Sequence, residues 1–366
     1  MSKVQISRFQ IIIALVWSIL GTAIVTIPYV IAQFTVRDGW ISSLLFPVGG
    51  LLSATVAALF LYSFPNRSLT LGLIDALGPW LGRVFGVWFL VWLYLINCTT
   101  LREGAEFVGT TILPKTPIYL IGFAGAIGFS YAVYLGAEVV MRNCEFITPL
   151  ALLVAPVLLA LSIQHMDIHN MMPVLADGWQ PVLRGAAEPD LTFALELLIA
   201  LQFAQALRNS RTLPRDMVIA TGIITIVGTI IMVYTISVLG QSSTYLTFPV
   251  LEIVRSVRVG DKLERLDTLY VMGVMSTTLI KLSLFHYAWC EGMKDIFKLT
   301  SYRIVALSGG LFLWAGSIAC FRSEGEMERF IISVGPSYFV VTLVGVPLMA
   351  VIVMPFRRRA KQRAES

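Results

Sequence analysis

The sequence predicts an all-α integral membrane protein of about ten transmembrane helices, built as one domain with a five-plus-five inverted repeat. Three observations carry that expectation. Hydrophobic residues fill 57% of the 366 positions and charged residues 13%. With a mean hydropathy of +0.80, the chain is too apolar to be disordered or to hide its side chains in a soluble core. Ten mostly apolar runs approach the roughly 20 residues needed to cross a bilayer. Lysine and arginine gather in loops on one side of those runs, the usual mark of the cytoplasmic face.

Span one covers 9–32 and follows Lys3 and Arg8, as a secretion signal would. Its apolar run is too long for such a signal and no small-residue cleavage site precedes the next span, so it is retained as a helix. Its centre reads Gly21-Thr22-Ala23-Ile24-Val25-Thr26-Ile27-Pro28. A glycine that tolerates unusual dihedrals, hydroxyls able to rebond freed carbonyls and a proline further on predict an interruption near the midplane. A kinked but closely packed helix is the plainer alternative. Spans two to five lie at 41–62, 84–101, 117–135 and 146–163, the last of them short.

Span six, 191–207, is also short and unusually polar. It carries Glu196 and then Ala200-Leu201-Gln202-Phe203-Ala204-Gln205, with no glycine or proline, so the sequence leaves its unwinding open. Spans seven to ten follow at 217–240, 268–291, 303–321 and 330–354. The pseudo-repeats are thus about 9–163 and 191–354 within a domain over 1–355, followed by a basic tail at 356–366.

An even number of spans puts both termini on one side, and the tail residues Arg357, Arg358, Arg359, Lys361 and Arg363 mark that side as cytoplasmic. The most basic outer loop mixes Arg255, Arg258, Lys262 and Arg265 with Glu252, Asp261, Glu264 and Asp267, so it is balanced rather than basic. The net charge of +5 therefore records orientation in a bilayer and not a nucleic-acid surface. Cys98, Cys144, Cys290 and Cys320 are scattered without metal or disulfide spacing. His165 and His169 flank Asp167 at a loop edge, which reads as interfacial polarity before it reads as a metal site. No phosphate loop, nucleophile elbow or dinucleotide fingerprint occurs, so neither an enzyme, a metal nor a cofactor is expected.

The polar residues inside the spans are the functional candidates. Lys281 lies near the centre of span eight, where an isolated charge costs roughly 2.5–3.5 kcal/mol on insertion scales, so it must face protein or water. Glu196, Glu103 and Glu106 are its candidate partners, and nothing in one dimension selects among them. A structural ion pair and a polar pathway stand as equal alternatives. Ser283 and Tyr287 share one face of span eight by their spacing of four, as Tyr94 and Cys98 do in span three. Either pair suits a pocket wall, although hydroxyls in spans more often bond a nearby carbonyl.

Taken together, the strings Ile6-Ser7-Arg8-Phe9-Gln10, Gly21-Thr22-Ala23-Ile24, Arg37-Asp38-Gly39-Trp40-Ile41, Phe64-Pro65-Asn66-Arg67-Ser68-Leu69 and Leu77-Gly78-Pro79-Trp80-Leu81-Gly82 resemble one family. Leu113-Pro114-Lys115-Thr116-Pro117, Gly136-Ala137-Glu138-Val139-Val140-Met141-Arg142, Met172-Pro173-Val174-Leu175, and Phe248-Pro249 through Leu263-Glu264-Arg265-Leu266-Asp267 extend the likeness along almost the whole chain. The family is the B subunit of GerA-type nutrient germinant receptors of spore-forming bacteria, a branch of the amino acid–polyamine–organocation superfamily with the LeuT-like fold.

That resemblance implies a ligand-sensing subunit in the spore inner membrane, working with a larger A-type membrane subunit and a C-type lipoprotein. It implies a small nutrient, typically an amino acid, bound between spans one, three, six and eight. On this chain Gly21, Thr22, Ala23 and Ile24 would meet the ligand carboxylate, and Tyr94 and Cys98 would form one wall. Leu201, Gln202 and Phe203 would form another, while Ser283 and Tyr287 would face the ligand from span eight. Span six departs from the glycine-rich break of many superfamily transporters, which favours a sensor. A proton- or ion-coupled amino-acid transporter is the alternative, and a scaffold with a vestigial pocket the third.

Overall fold

The computed structural model describes residues 5–256, 266–321 and 323–365. Among these, eight helices are long and apolar enough to cross a membrane. Span one is α1 (Arg8–Ala32), span two pairs α2 (Gly39–Leu44) with α3 (Pro47–Ser63), and α4 (Leu69–Leu77) lies in the loop that follows. Spans three to five are α5 (Leu81–Thr111), α6 (Ile118–Leu135) and α7 (Ala137–Ser162). Span six is α8 (Trp179–Leu191), α9 (Phe193–Glu196) and a 3-10 segment, Leu197–Phe203. Span seven is α10 (Leu213–Leu239), and α11 (Pro249–Ser256) precedes the loop into α12 (Leu266–Phe297), which is span eight. The 17-residue α13 (Arg303–Ala319) is span nine. Span ten runs through α14 (Glu324–Arg329), α15 (Gly335–Phe339) and α16 (Val346–Glu365), joined by π-helical turns at Phe330–Val334 and Val340–Gly345.

The ends of the elements follow local chemistry. Ser7 and Gln10 form a capping box, each side-chain oxygen accepting from the other residue's backbone N–H, and so close the start of α1. Pro47 opens α3 where its missing N–H costs nothing. The guanidinium of Arg357 donates to the carbonyl oxygens of Ile74 and Asp75, at 3.2 and 2.7 Å, and finishes α4. The first basic residue of the tail is therefore docked, and the backbone of that tail continues α16. The side chains of Arg358, Arg359, Lys361 and Arg363 lie outside the described residues, as do Arg258, Asp261, Lys262, Glu264 and Arg265 of the balanced loop.

Burial separates the core from the lipid-facing rim. The apolar stretch of α1 is 72% buried and that of α7 only 11%, so α1 runs through the middle of the bundle and α7 along its outside. Helices α7, α10 and α12 pack against α1. The chain starts and ends on one face of the bundle. There Arg8 pairs with Asp216 at 2.6 Å and Ile6 bridges to Leu207. His165 and His169 fall on two separate 3-10 turns at the opposite face.

The expected interruption of span one is corrected. Helix α1 runs unbroken through Gly21 and Thr22, and Pro28 sits only one turn before its end. Gly21 serves packing instead. A Cβ there would lie 2.7 Å from the backbone oxygen of Thr277, so the missing side chain lets α1 and α12 touch. The Gly21 carbonyl, in turn, accepts from Thr278 Oγ1 at 3.0 Å.

The irregular backbone is in span six. Helix α8 ends at Thr192, with φ −110 and ψ −79, and four residues of α9 lead into the 3-10 segment. Groups from α3 and from the span itself hold this stretch. Ser53 Oγ donates to the Ala194 carbonyl at 2.8 Å, Thr192 Oγ1 donates to the Glu188 carbonyl at 2.6 Å, and the Gly49 N–H reaches Asp190 Oδ1 at 3.3 Å. A backbone irregular at membrane depth needs such partners. A polar entry half carrying Arg184, Glu188 and Asp190 is why hydropathy placed the start of the span at 191 rather than 179.

If the close approach at Gly21 fixes α1 on α12, Gly21→Ala should lower the melting temperature of the detergent-solubilised protein, at an overpacking cost of about 1–3 kcal/mol. Gly128→Ala, where a Cβ would meet nothing within 4 Å, should leave it unchanged. Equal melting of the two variants would show that Gly21 is not the contact that matters.

Candidate functional site

Lys281 lies halfway along α12 with 2% of its side chain exposed, and Glu196, the last residue of α9, is equally buried. Their charged atoms are 2.8 Å apart. Lys281 Nζ also donates to Thr22 Oγ1 on α1 at 2.9 Å. It stands 5.3 and 5.5 Å from the ring centres of Phe193 and Phe285, within cation–π reach. Of the three carboxylates considered as its partner, the fold selects Glu196. Glu106 pairs with Arg102 one turn earlier on α5.

The pair borders a cavity of about 30 Å³ whose walls include Thr22, Trp92, Ile96, Thr99, Glu103, Thr192, Phe193, Phe330, Tyr338 and Phe339. That is room for one or two waters. Residues 92, 96, 99 and 103 form one stripe of α5 at helical spacing. Phe330 comes from the first π-helical turn of span ten, and Tyr338 and Phe339 from α15 directly after it. Glu188 approaches from α8. Its Oε1 accepts from Thr192 Oγ1 at 3.4 Å, and its Oε2 is buried without a hydrogen-bond partner. Glu188 lies within electrostatic reach of Glu103 and Glu196, and Glu103 within reach of Lys281 as well. The Glu196–Lys281 contact is also oblique, leaving Glu196 Oε2 without an aligned hydrogen bond.

The fold brings only part of the sequence-based set to this cavity: Thr22, Glu103, Glu196 and Lys281. Gly21 packs beside it. Ala23 and Ile24 turn to a separate apolar cleft shared with Pro28, Phe46 and Ile224. Tyr94 and Cys98 lie on the other side of α5, where the Tyr94 ring meets Phe312 at 4.7 Å and Cys98 Sγ donates to the Leu313 carbonyl. Ser283 Oγ is spent on the Leu279 carbonyl of its own helix.

The remaining candidates gather nearer the face that carries the termini. Leu201 is buried in the 3-10 segment, Phe203 stacks on Tyr287 at 5.3 Å, and Tyr287 donates to Glu291 at 3.1 Å. Gln202 Nε2 donates to Thr70 Oγ1 and Gln205 Nε2 to Ser68 Oγ, both at 3.0 Å. Ser68 and Thr70 each donate onward to Asp295 Oδ2, at 2.7 and 2.8 Å. The end of span six is in this way tied to α4 and α12 by a polar network. Sequence reasoning missed Glu188, because it lies in a stretch too polar to read as membrane, and the span-ten lining, because a π-helical turn has no hydropathy signature.

Residues 5–321 match the family described as spore germination protein. The chain is similar to spore germination protein KB of Bacillus subtilis (strain 168), 26% identical over 370 residues that cover 100% of this chain and 98% of the relative. It is also similar to spore germination protein YndE of the same organism, 24% identical over 98% of each chain. The crystal structure of MhsT in complex with L-phenylalanine superposes with a TM-score of 0.69 at 15% identity, covering 97% of this chain and 99% of the other. That match shows the LeuT-like fold expected from the sequence.

Removing one member of a buried pair strands the other charge, which costs about 3–5 kcal/mol, whereas a neutral pair of similar shape costs far less. Lys281→Met and Glu196→Gln should therefore each lower the melting temperature more than the double variant K281M/E196Q does. Additive effects in a thermal double-mutant cycle would mean that the two charges are not coupled.

Proposed function

The chain belongs to the spore germination protein family and is a permease-like integral membrane protein, not an enzyme, and from that premise we propose that it is the nutrient-sensing subunit of a spore germinant receptor. The single observation that carries this reading is the small polar cavity at mid-membrane, where the irregular part of span six meets α1, α5 and α12 around Lys281 and Glu196. A small nutrient, an amino acid in the first instance, binds there. Binding favours one arrangement of the bundle, and the bias passes to an A-type membrane subunit and a C-type lipoprotein in the spore inner membrane. Both termini face the spore core, in keeping with the basic tail. Such a ligand acts only through a difference in affinity between the two arrangements.

Two features support sensing over passage. Helix α1 is continuous, so it offers no loosened backbone at the midplane. The route toward the termini face is crossed by the network from Gln202 and Gln205 to Asp295. A second reading, a proton- or ion-coupled amino-acid transporter, draws on a different observation. Glu103 lies on the side of the cavity away from that network, so polar groups flank the cavity on both sides.

Deleting the gene should abolish germination in response to one nutrient, and the A-type and C-type subunits should copurify with the chain. Thr22→Val takes away the acceptor that holds Lys281 Nζ in place at the cavity and should, through that loss of positioning, raise the nutrient concentration needed for germination roughly tenfold at unchanged protein level. Uptake of labelled amino acid by proteoliposomes holding the chain alone would favour the transporter instead. An unchanged response of Thr22→Val would remove the cavity from the mechanism.

A further inference from the structure

Resting on the reading of this cavity as the ligand site, we propose that the Lys281–Glu196 ion pair stands in for a zwitterion. An α-amino acid enters by taking over both charges, its carboxylate on Lys281 Nζ and its ammonium on the Glu196 carboxylate, and so parts α12 from span six.

Space is the first argument. The cavity of about 30 Å³ holds water but not an amino acid beside the intact pair, so a ligand has to displace part of the wall. Among the described wall residues, the pair is an element whose displacement a doubly charged ligand can itself compensate. Charge is the second argument. Both groups are 2% exposed, and a buried charge left without a partner is severely penalised. A neutral ligand strands two charges, an amine or a carboxylic acid strands one, and a zwitterion strands none. Selectivity then arises from the penalty on the wrong ligands as much as from attraction to the right one.

The bonds already in place fit this exchange. Lys281 keeps its aligned bond to Thr22 while its other protons remain available. Glu196 Oε2 has no aligned hydrogen bond in the closed pair and gains one from an ammonium group. Capture of the ligand carboxylate by the backbone of α1 is not available, because the N–H groups there are spent within a continuous helix. The movement also has a defined recipient, since the 3-10 segment begins at the residue after Glu196.

The test uses the purified full chain in lipid nanodiscs, with thermal shift and isothermal titration against the twenty standard L-amino acids, a sugar set and a nucleoside set. The amino acid that binds is then compared with its decarboxylated amine and its deaminated acid. The wild type is expected to bind the amino acid and neither half-molecule. Lys281→Met should bind the amine, Glu196→Gln the deaminated acid, and each should lose about hundredfold in affinity for the amino acid. The neutral double K281M/E196Q, which buries no lone charge, should lose it equally while staying folded. The reversed double K281E/E196K should recover it to within about tenfold.

Undiminished amino-acid binding by K281M/E196Q overturns the exchange while leaving the cavity as a ligand site. Binding of a sugar or nucleoside in place of any amino acid, weakened by Thr22→Val, does the same. Binding of nothing in the three sets overturns both the exchange and the sensor reading beneath it.

Discussion

An ammonium group halfway through a hydrocarbon layer has to be answered by protein, and the way Lys281 is answered organises the centre of this molecule. Its counter-charge comes from span six and its hydrogen-bond acceptor from span one, so one side chain of span eight fixes the mutual position of three helices. Close approach makes this possible. Without the missing side chain at Gly21, the backbone of α12 around Thr277 could not rest against α1, and Lys281, one turn further along, would not reach Thr22. The packing contact and the charge contact are therefore one device. A larger residue at position 21 acts on the pair as well as on the helix interface.

The same requirement of satisfaction explains where the backbone becomes irregular. A span can leave helical geometry only where other groups take up its freed donors and acceptors. Span six meets Ser53 from α3 and supplies its own Thr192 and Asp190 for that purpose. At its far end, glutamines pass hydrogen bonds through Ser68 and Thr70 to Asp295. At Gly21 span one receives a single such bond, from Thr278. It touches backbone there, and it stays helical. Glycine and proline thus permit a break without causing one, and the neighbours decide which span takes it.

This distinction marks how far the sequence could be read. The spans were legible because lipid imposes a length and a composition on each one, and the string likenesses pointed to the family and its fold. What stayed hidden depends on a third dimension. The run from Gly21 to Pro28 carries every local sign of an interrupted helix, yet the signs serve packing against Thr277. Lys281 announced that it needed a partner, but three carboxylates were equally close in the argument until the fold brought Glu196 to it. Tyr94 and Cys98 share a face as their spacing requires, and that face belongs to α13. Periodicity says which residues travel together around a helix. It does not say which side of the helix meets the cavity.

A sensor built on a transporter-like bundle has to convert ligand binding into a change large enough for a partner subunit to detect. Moving a two-state equilibrium from 1:99 to 99:1 takes about 5.5 kcal/mol of differential affinity. Few contacts of a small nutrient supply that much. Buried charge does, because a pair parted without compensation costs several kcal/mol and a pair parted by a matching ligand does not. The resting state is then held by the same interaction that the ligand replaces. A single site can in this way combine a closed ground state, selectivity for one class of molecule and the free energy that drives the response. The segment that would respond under the proposed exchange, running from Glu196 through Phe203 to the bonds made by Gln205, is continuous in sequence and ends beside α4, on the face that carries both termini. Coupling along such a path would need no long chain of intermediates, since Glu196 and the residues that hold the far end lie on the same three turns of one span.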